Sequence, residues 1–238
     1  ALGEMGVEAR SLAVGDEQVA GLFSVEALGD HGQPLIVKVY GRDAHDAALL
    51  STLWRTVGYG EAGSPLGLGR LQQVEHEAFL TLFARQVGIV TDAVVTAGAT
   101  EEDDALLVLS RSGSLLRELP DPDERLLARI WDLVATLHDH GMAHGQLDDG
   151  HLLLDDDELG VVGFRGASLT ASETHRRTDE VQALVTTVIL LGPDRALDAA
   201  AEALGPERLA SALAYLQPPV LTPRQRRQVH ELGIDLDQ

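Results

Sequence analysis

Cysteine is absent from this sequence and lysine is nearly absent. Without cysteine there are no disulfides, thiolate zinc sites or cysteine nucleophiles. Lys38 is the only lysine, and the other basic residues are arginine. No stretch approaches the roughly 20 apolar residues that span a bilayer, since the best candidate, residues 181–192, contains a glutamine and two threonines. We therefore expect a soluble chain, and we see no signal-peptide pattern at its start.

Positive charge is scarce as a whole. The chain has 38 acidic and 18 basic residues, which give a formal charge of -20. Such a surface repels nucleic-acid phosphates and anionic membranes, so we expect no nucleic-acid partner. The 238 residues are 45% hydrophobic, which is enough for the core of one large domain or of two small lobes.

The first part of the chain has the pattern of a small β lobe. Alternating or apolar runs predict five strands, over residues 8–14, 19–28, 35–40, 90–95 and 105–109. Helical spacing predicts two helices, over residues 44–56 and 71–87. Gly15 and Gly21 lie between the first two strands, but Asp16 and Glu17 would repel phosphates. We interpret that stretch as a polar hairpin turn rather than a phosphate-binding loop.

Lys38 interrupts the apolar run 35–40, which otherwise has the composition of a buried strand. A buried ammonium group is costly unless it has a partner. The alternative is a lysine on the exposed face of an edge strand.

The central stretch, residues 139–168, has a distinctive order. An amphipathic helix is followed by the loop His-Gly-Gln-Leu-Asp-Asp-Gly-His over residues 144–151, then by two short apolar runs and a Gly-Phe-Arg-Gly turn. This order resembles the catalytic loop and metal-binding turn of the protein-kinase-like superfamily, especially its aminoglycoside-phosphotransferase branch. The remaining helices are predicted over residues 178–191, 194–204, 206–216 and from 222 onward.

The resemblance implies a bilobal α+β fold, with a small antiparallel β lobe over residues 1–112 and a mostly helical lobe over 113–238, hinged near 110–116. It implies that Lys38 is the third-strand lysine that contacts nucleotide phosphates and pairs with a helix glutamate. Within the second predicted helix the kinase-like pattern selects Glu77 as this partner and leaves Glu75 on the surface.

Three positions of the loop and turn depart from the pattern of active kinases. Gln146 stands where a carboxylate should orient the attacking hydroxyl, and an amide is not a base. His151 stands where an asparagine helps to hold a metal ion, although magnesium prefers oxygen ligands. Gly163 replaces the main metal-binding aspartate, and Arg165 stands where a glycine is expected. We therefore expect neither an intact catalytic set nor a metal site.

Several acids near the loop are possible substitutes, with Asp148 the first. We favour the interpretation that Asp148, Asp149 and the run 155–157 serve turn formation and solvation. Arg165 adds a cation that could pair with phosphate or with Asp148, so Lys38, Glu77 and Arg165 are the candidate ligand-binding residues.

A second resemblance covers most of the chain. The segments 35–42, 71–82, 144–151 and 190–218 resemble the soluble kinase-like segment of actinobacterial membrane proteins of the lysylphosphatidylglycerol-synthase/flippase-like family. It implies a location on the cytoplasmic face of the membrane and a partner in the transmembrane region of the same or a neighbouring protein. Arg224, Arg226 and Arg227 agree with a positive cytoplasmic flank, although such arginines are usually just solvated.

Three hypotheses about function follow. The favoured one is a pseudokinase module that regulates or binds a partner, with a pocket for a nucleotide or lipid headgroup and weak ATP binding independent of magnesium. The second is a phosphotransferase that uses displaced acids such as Asp148. The third is a histidine metal site, built from His138, His140, His144 and His151.

Overall fold

The computed structural model describes residues 2–3, 5–19, 22–40, 69–100, 104–120 and 122–233. The chain divides into two compact units. Of the described residues, the first unit contains those up to 40 and those within 69–86 and 91–112, and the second contains those within 87–90 and 113–233. The helix predicted over residues 44–56 lies outside the described residues.

The first unit contains a five-stranded antiparallel sheet and one described helix. The sheet order is β1-β2-β3-β5-β4. Its strands are β1 (Ala9–Val19), β2 (Leu22–Gly29), β3 (Pro34–Tyr40), β4 (Ala93–Ala99) and β5 (Ala105–Ser110), and the helix is α1 (Arg70–Gln86). The five strands and the second predicted helix are confirmed, and the class is α+β as expected.

Strands β1, β2 and β4 have boundaries that differ from the prediction by three residues or more. Strand β1 does not turn at Gly15 but continues to Val19 in two register shifts against β2. The two strands approach each other closely at Gly15. A Cβ at this position would lie only 2.9 Å from the Ser24 hydroxyl, so glycine favours the close approach. Strand β4 begins three residues later than predicted, because Val90 belongs to the second unit, where its carbonyl accepts from Val161 N.

Strand β3 is buried on both faces. Ile36 and Tyr40 pack with Val74 and Ala78 of α1, whereas Val37 packs in the core on the opposite face of the sheet. Because β3 lies between β2 and β5, Lys38 is not on an edge strand. The alternative of an exposed edge lysine is therefore wrong.

The second unit is mostly helical, with a small sheet of order β6-β7-β8. The sheet is formed by β6 (Ser114–Leu115), β7 (Leu152–Asp155) and β8 (Glu158–Val161), and the helices are α2 (Arg125–Asp139), α3 (Glu173–Leu191), α4 (Pro193–Leu204), α5 (Pro206–Tyr215) and α6 (Pro223–Leu232). Helix α3 begins five residues earlier than predicted, because the Ser172 hydroxyl accepts from His175 N and caps it there. Within the described segments no helix has both the length and the apolar character to cross a bilayer.

Candidate functional site

A buried ion pair connects β3 to α1 in the first unit. Lys38 Nζ donates to Glu77 Oε1 at 2.8 Å, and the two side chains are 3% and 0% exposed. The predicted pairing of Lys38 with Glu77 is therefore present. Glu75 is exposed, as expected.

Tyr40 completes this pair, and sequence reasoning missed it. Its hydroxyl donates to Glu77 Oε2, so Lys38 and Tyr40 hold the two oxygens of one carboxylate. The two residues are one alternation apart on β3 and so point to the same face of the sheet. That spacing is the signal that could have identified Tyr40. Because both oxygens are satisfied, the burial cost of Glu77 is offset without a ligand.

The loop 144–151 of the second unit is anchored by Asp179 of α3. This buried carboxylate accepts from His144 N at 2.8 Å and from Gly145 N at 2.6 Å, and His138 Nε2 lies 3.3 Å from it. Gly145 has a φ of 77°, a conformation that favours glycine. The backbone at the start of the loop is therefore held by a charged acceptor from another element.

His144 is fully buried at the start of this loop. Its Nε2 lies 3.1 Å from the carbonyl oxygen of Val162, so that nitrogen carries the proton and donates it. The ring meets Phe164 edge-on, with centroids 5.1 Å apart. Burial, with the charge of His151, lowers the pKa of His144 to about 4. The side chain is therefore neutral at physiological pH.

Asp148 is buried, and each of its oxygens has a partner. Oδ1 accepts from His151 Nδ1 at 2.7 Å and from Gly150 N at 3.0 Å, and Oδ2 accepts from the Thr222 hydroxyl at 2.7 Å. Burial raises its pKa, but the charge and hydrogen bond of His151 and the hydrogen bonds from Thr222 and Gly150 lower it to about 2. Asp148 serves turn formation as expected, since it accepts from Gly150 N two residues later. The expectation that it is solvated is wrong, because Thr222, the N-cap residue of α6, covers it.

Asp149 is also buried, and the expectation of solvation fails for it too. Arg224 binds its two oxygens with Nε and Nη2, and Gln228 Nε2 donates to Oδ2 at 2.9 Å. Arg224 is therefore bound to the loop rather than solvated. Of the other acids, Asp156 and Asp157 are exposed as expected.

Gln225 fixes helix α6 to the rest of the unit. It is buried, and its Nε2 donates to the Gln182 carbonyl at 2.7 Å and to the Thr186 hydroxyl at 2.9 Å. Sequence reasoning missed this residue. Its signal is the capping box of Thr222, in which Gln225 Oε1 accepts from Thr222 N.

The three degenerate positions and Arg165 also lie in the second unit. Gln146 is half-buried, and its carbonyl accepts from Asp148 N at 3.0 Å. His151 and Gly163 are adjacent: a Cβ at 163 would meet the His151 ring. Arg165 is half-buried in the 3-10 turn Phe164–Gly166. The candidates Lys38 and Glu77 belong to the first unit.

The residues at these positions do not fit the magnesium ion that the resemblance implies. Gly163 has no side chain to offer a ligand, and His151 offers nitrogen, whereas magnesium takes oxygen ligands in octahedral geometry. Across the described ranges, no group of three or more histidine or acidic side chains is arranged to hold a metal ion. The alternative of a four-histidine site has no support either. His138 Nε2 lies 3.3 Å from the Asp179 carboxylate, and Nδ1 of the exposed His140 lies 2.9 Å from the Thr136 carbonyl oxygen.

Comparison with known proteins gives a similarity only at the level of solved structures. No protein-family model matches the sequence, and no curated protein matches it. A solved structure of vaccinia related kinase 3 is similar, with 14% identity over 97% of this chain and 89% of that chain, and a TM-score of 0.44. At these values the similarity supports no inference about activity or about a particular kinase branch. The order of strands and helices in the two units agrees with the order predicted from the sequence.

Proposed function

We propose that this chain is a catalytically impaired kinase-like module that binds a ligand or partner and regulates an attached membrane protein at its cytoplasmic face. Phosphoryl transfer needs metal ions that neutralise phosphate charge and a residue that positions the attacking hydroxyl. The positions for these functions are occupied by Gln146, His151 and Gly163. The membrane partner follows from the second resemblance alone.

The observation that carries the proposal is the engagement of Asp148. A general base must come within hydrogen-bond reach of the proton that it removes. Asp148 is 2% exposed, and His151, Gly150 and Thr222 occupy its two oxygens. Asp149 is bound by Arg224 and Gln228 in the same way. The displaced acids on which an active phosphotransferase would depend are therefore committed to structure.

The ligand-binding part of the proposal rests on Lys38 with Glu77 in the first unit and, separately, on Arg165 in the second unit. An ammonium and a guanidinium both recognise phosphate, as a point charge and as a planar fork respectively. Glu77 holds the Lys38 ammonium in place and Tyr40 in turn holds Glu77, which favours a pre-ordered cation over one that is ordered by the ligand. The ligand class is a phosphate-bearing anion, either a nucleotide bound weakly without magnesium or a lipid headgroup.

A radiolabelled γ-phosphate assay tests the loss of catalysis. The purified 238-residue chain is incubated with labelled ATP and magnesium, and transfer and release of phosphate are measured beside an Asp148→Asn variant. We expect no turnover above a protein-free control. Turnover that Asp148→Asn abolishes would identify a rearranged active kinase and overturn the proposal.

Calorimetric and thermal-shift titrations test the ligand. ATP is added with and without magnesium, and vesicles of anionic or zwitterionic lipid are added in parallel, with Lys38→Met as the variant, at a temperature where circular dichroism shows that it is folded. We expect weak ATP binding that magnesium leaves unchanged and that Lys38→Met removes. Binding to anionic vesicles alone would point to the headgroup, and a strict need for magnesium would contradict the proposal.

A further inference from the structure

The misfit of magnesium has a specific physical origin in two residues of the second unit. Gly163 lies at the start of the 3-10 turn, and His151 ends the loop 144–151. We propose that His151 and Gly163 are an interdependent pair, in which the imidazole fills the space that a side chain at 163 would need. The ring thereby excludes the acidic ligand, and with it a divalent cation, from this turn.

The distances leave no room for a side chain at 163. A Cβ built on Gly163 would lie 2.8 Å from Cδ2 and 3.4 Å from Nε2 of His151. Carbon atoms in contact are normally about 3.5–4.0 Å apart. Either the ring or the turn would therefore have to move to accept any other residue.

The ring is not free to move aside. Its Nδ1 is held by Asp148 Oδ1 at 2.7 Å, and Asp148 is itself fixed by the Thr222 hydroxyl. On another side the ring faces that of His144, with centroids 5.8 Å apart. The backbone of His151 is bound as well, since its carbonyl accepts from Val162 N at 2.9 Å. A clash at 163 would therefore disturb a connected set of hydrogen bonds.

Backbone strain alone does not explain the glycine. Gly163 has a φ of 82° and a ψ of 58°, in the left-handed region. Asparagine and aspartate tolerate that region better than other side chains. The contact with His151 is thus the stronger barrier to the aspartate that a metal-binding turn would carry.

A double-mutant cycle tests the pairing, and it does not depend on the proposed function. Urea unfolding midpoints are measured for the full chain, Gly163→Asn, His151→Ala and the double variant. We expect Gly163→Asn to lower the midpoint strongly, and its effect to fall by about half or more in the His151→Ala background. Equal losses in the two backgrounds would overturn the pairing.

Gly233 supplies a matched control for backbone strain. Its φ is 65° and its ψ is 27°, and a Cβ there would meet nothing within 4 Å. Gly233→Asn should therefore lower the midpoint less than Gly163→Asn, and by the same amount with or without His151→Ala. A loss as large as that of Gly163→Asn would mean that strain, not the ring, excludes side chains at 163.

A separate experiment tests the exclusion of divalent cations. This part of the inference rests on the proposed function. Magnesium and manganese chlorides are titrated into the full chain and into the double variant His151→Asn/Gly163→Asp, with melting temperature and heat as readouts. We expect the double variant to bind these ions with an apparent affinity at least about tenfold higher than that of the full chain. Equal responses from the two proteins would overturn the exclusion, whereas γ-phosphate turnover by the full chain would overturn the proposed function.

Discussion

The Thr222 hydroxyl donates to Asp148 Oδ2 at 2.7 Å, and the two residues are 74 positions apart in sequence. The same hydroxyl accepts from Gln225 N at 3.1 Å and so caps helix α6. One threonine therefore fixes both the helix and the carboxylate in the middle of the loop 144–151.

Thr222→Val should destabilise the chain by about 2–4 kcal/mol, since it removes a hydrogen bond to a charged acceptor and a helix cap. Thr222→Ser keeps the hydroxyl and should cost much less. The free energy of unfolding in urea measures both. In an Asp148→Asn background the cost of Thr222→Val should shrink toward that of the cap alone. An undiminished cost there would show that the bond to Asp148 adds no stability.

Lys38→Met and Glu77→Gln should each destabilise the chain by roughly 3–5 kcal/mol, because removal of one partner strands the other as an uncompensated buried charge. The pair is shielded from solvent, so little of this cost is screened. Tyr40→Phe should cost less, about 1.5–3 kcal/mol, because it removes one hydrogen bond to the carboxylate. Thermal or urea unfolding measures all three. Unchanged stability in both Lys38→Met and Glu77→Gln would contradict a buried pair.

Stability should fall as the pH is lowered from about 6.5 toward 4, because of His144. Its pKa is about 4 in the folded chain, against an ordinary 6.5. The unfolded chain therefore binds more protons in this window, and the free energy of unfolding falls by up to about 3 kcal/mol. His144→Gln lacks this titration, so its stability should change less between pH 7.5 and 5. A slope equal to that of the unaltered chain would contradict the assignment.

The ionisation of Asp148 affects the stability of the chain in a lower pH range. Its pKa is about 2 in the folded chain, against an ordinary 3.8. The stability that its carboxylate contributes is fully present above 3.8 and is lost as the pH falls through 2. Below pH 4, Asp148→Asn should therefore flatten the acid limb of the stability curve. The measurement is the free energy of unfolding between pH 4 and 2, and an unaltered limb would contradict it.

The pair of Lys38 and Glu77 could be predicted from sequence, because a lone lysine in an apolar strand needs a partner and the kinase-like order offers one on the next described helix. The helix ends of the second unit were also predictable, since Gly192 and Gly205 each precede a proline and mark a break between helices. These signals are local, and that is why they can be interpreted without a structure.

The burial of Asp148 and Asp149 could not be predicted in this way. Their partners Thr222 and Arg224 lie 74 and 75 positions away. The loop itself, with its acids and glycines, has the composition of a solvated turn. Burial of both depends on where α6 packs, which no pattern within the loop specifies. The first turn was mispredicted for a related reason, because Gly15 serves the close approach of two strands.

Asp179→Asn should destabilise the chain by about 2–4 kcal/mol, because it weakens charge-assisted hydrogen bonds to two backbone amides in a buried site. Asp179 is fully buried and accepts from His144 N and Gly145 N. The amide nitrogen of an asparagine cannot accept, so one of these donors would lose its partner. Asp132→Asn, at an exposed position of α2, removes the same charge and should change the free energy of unfolding by less than about 0.5 kcal/mol. Hydrogen exchange should show faster exchange of the amides of 144–145 in Asp179→Asn than in Asp132→Asn, and equal protection in the two variants would contradict the anchoring of the loop by α3.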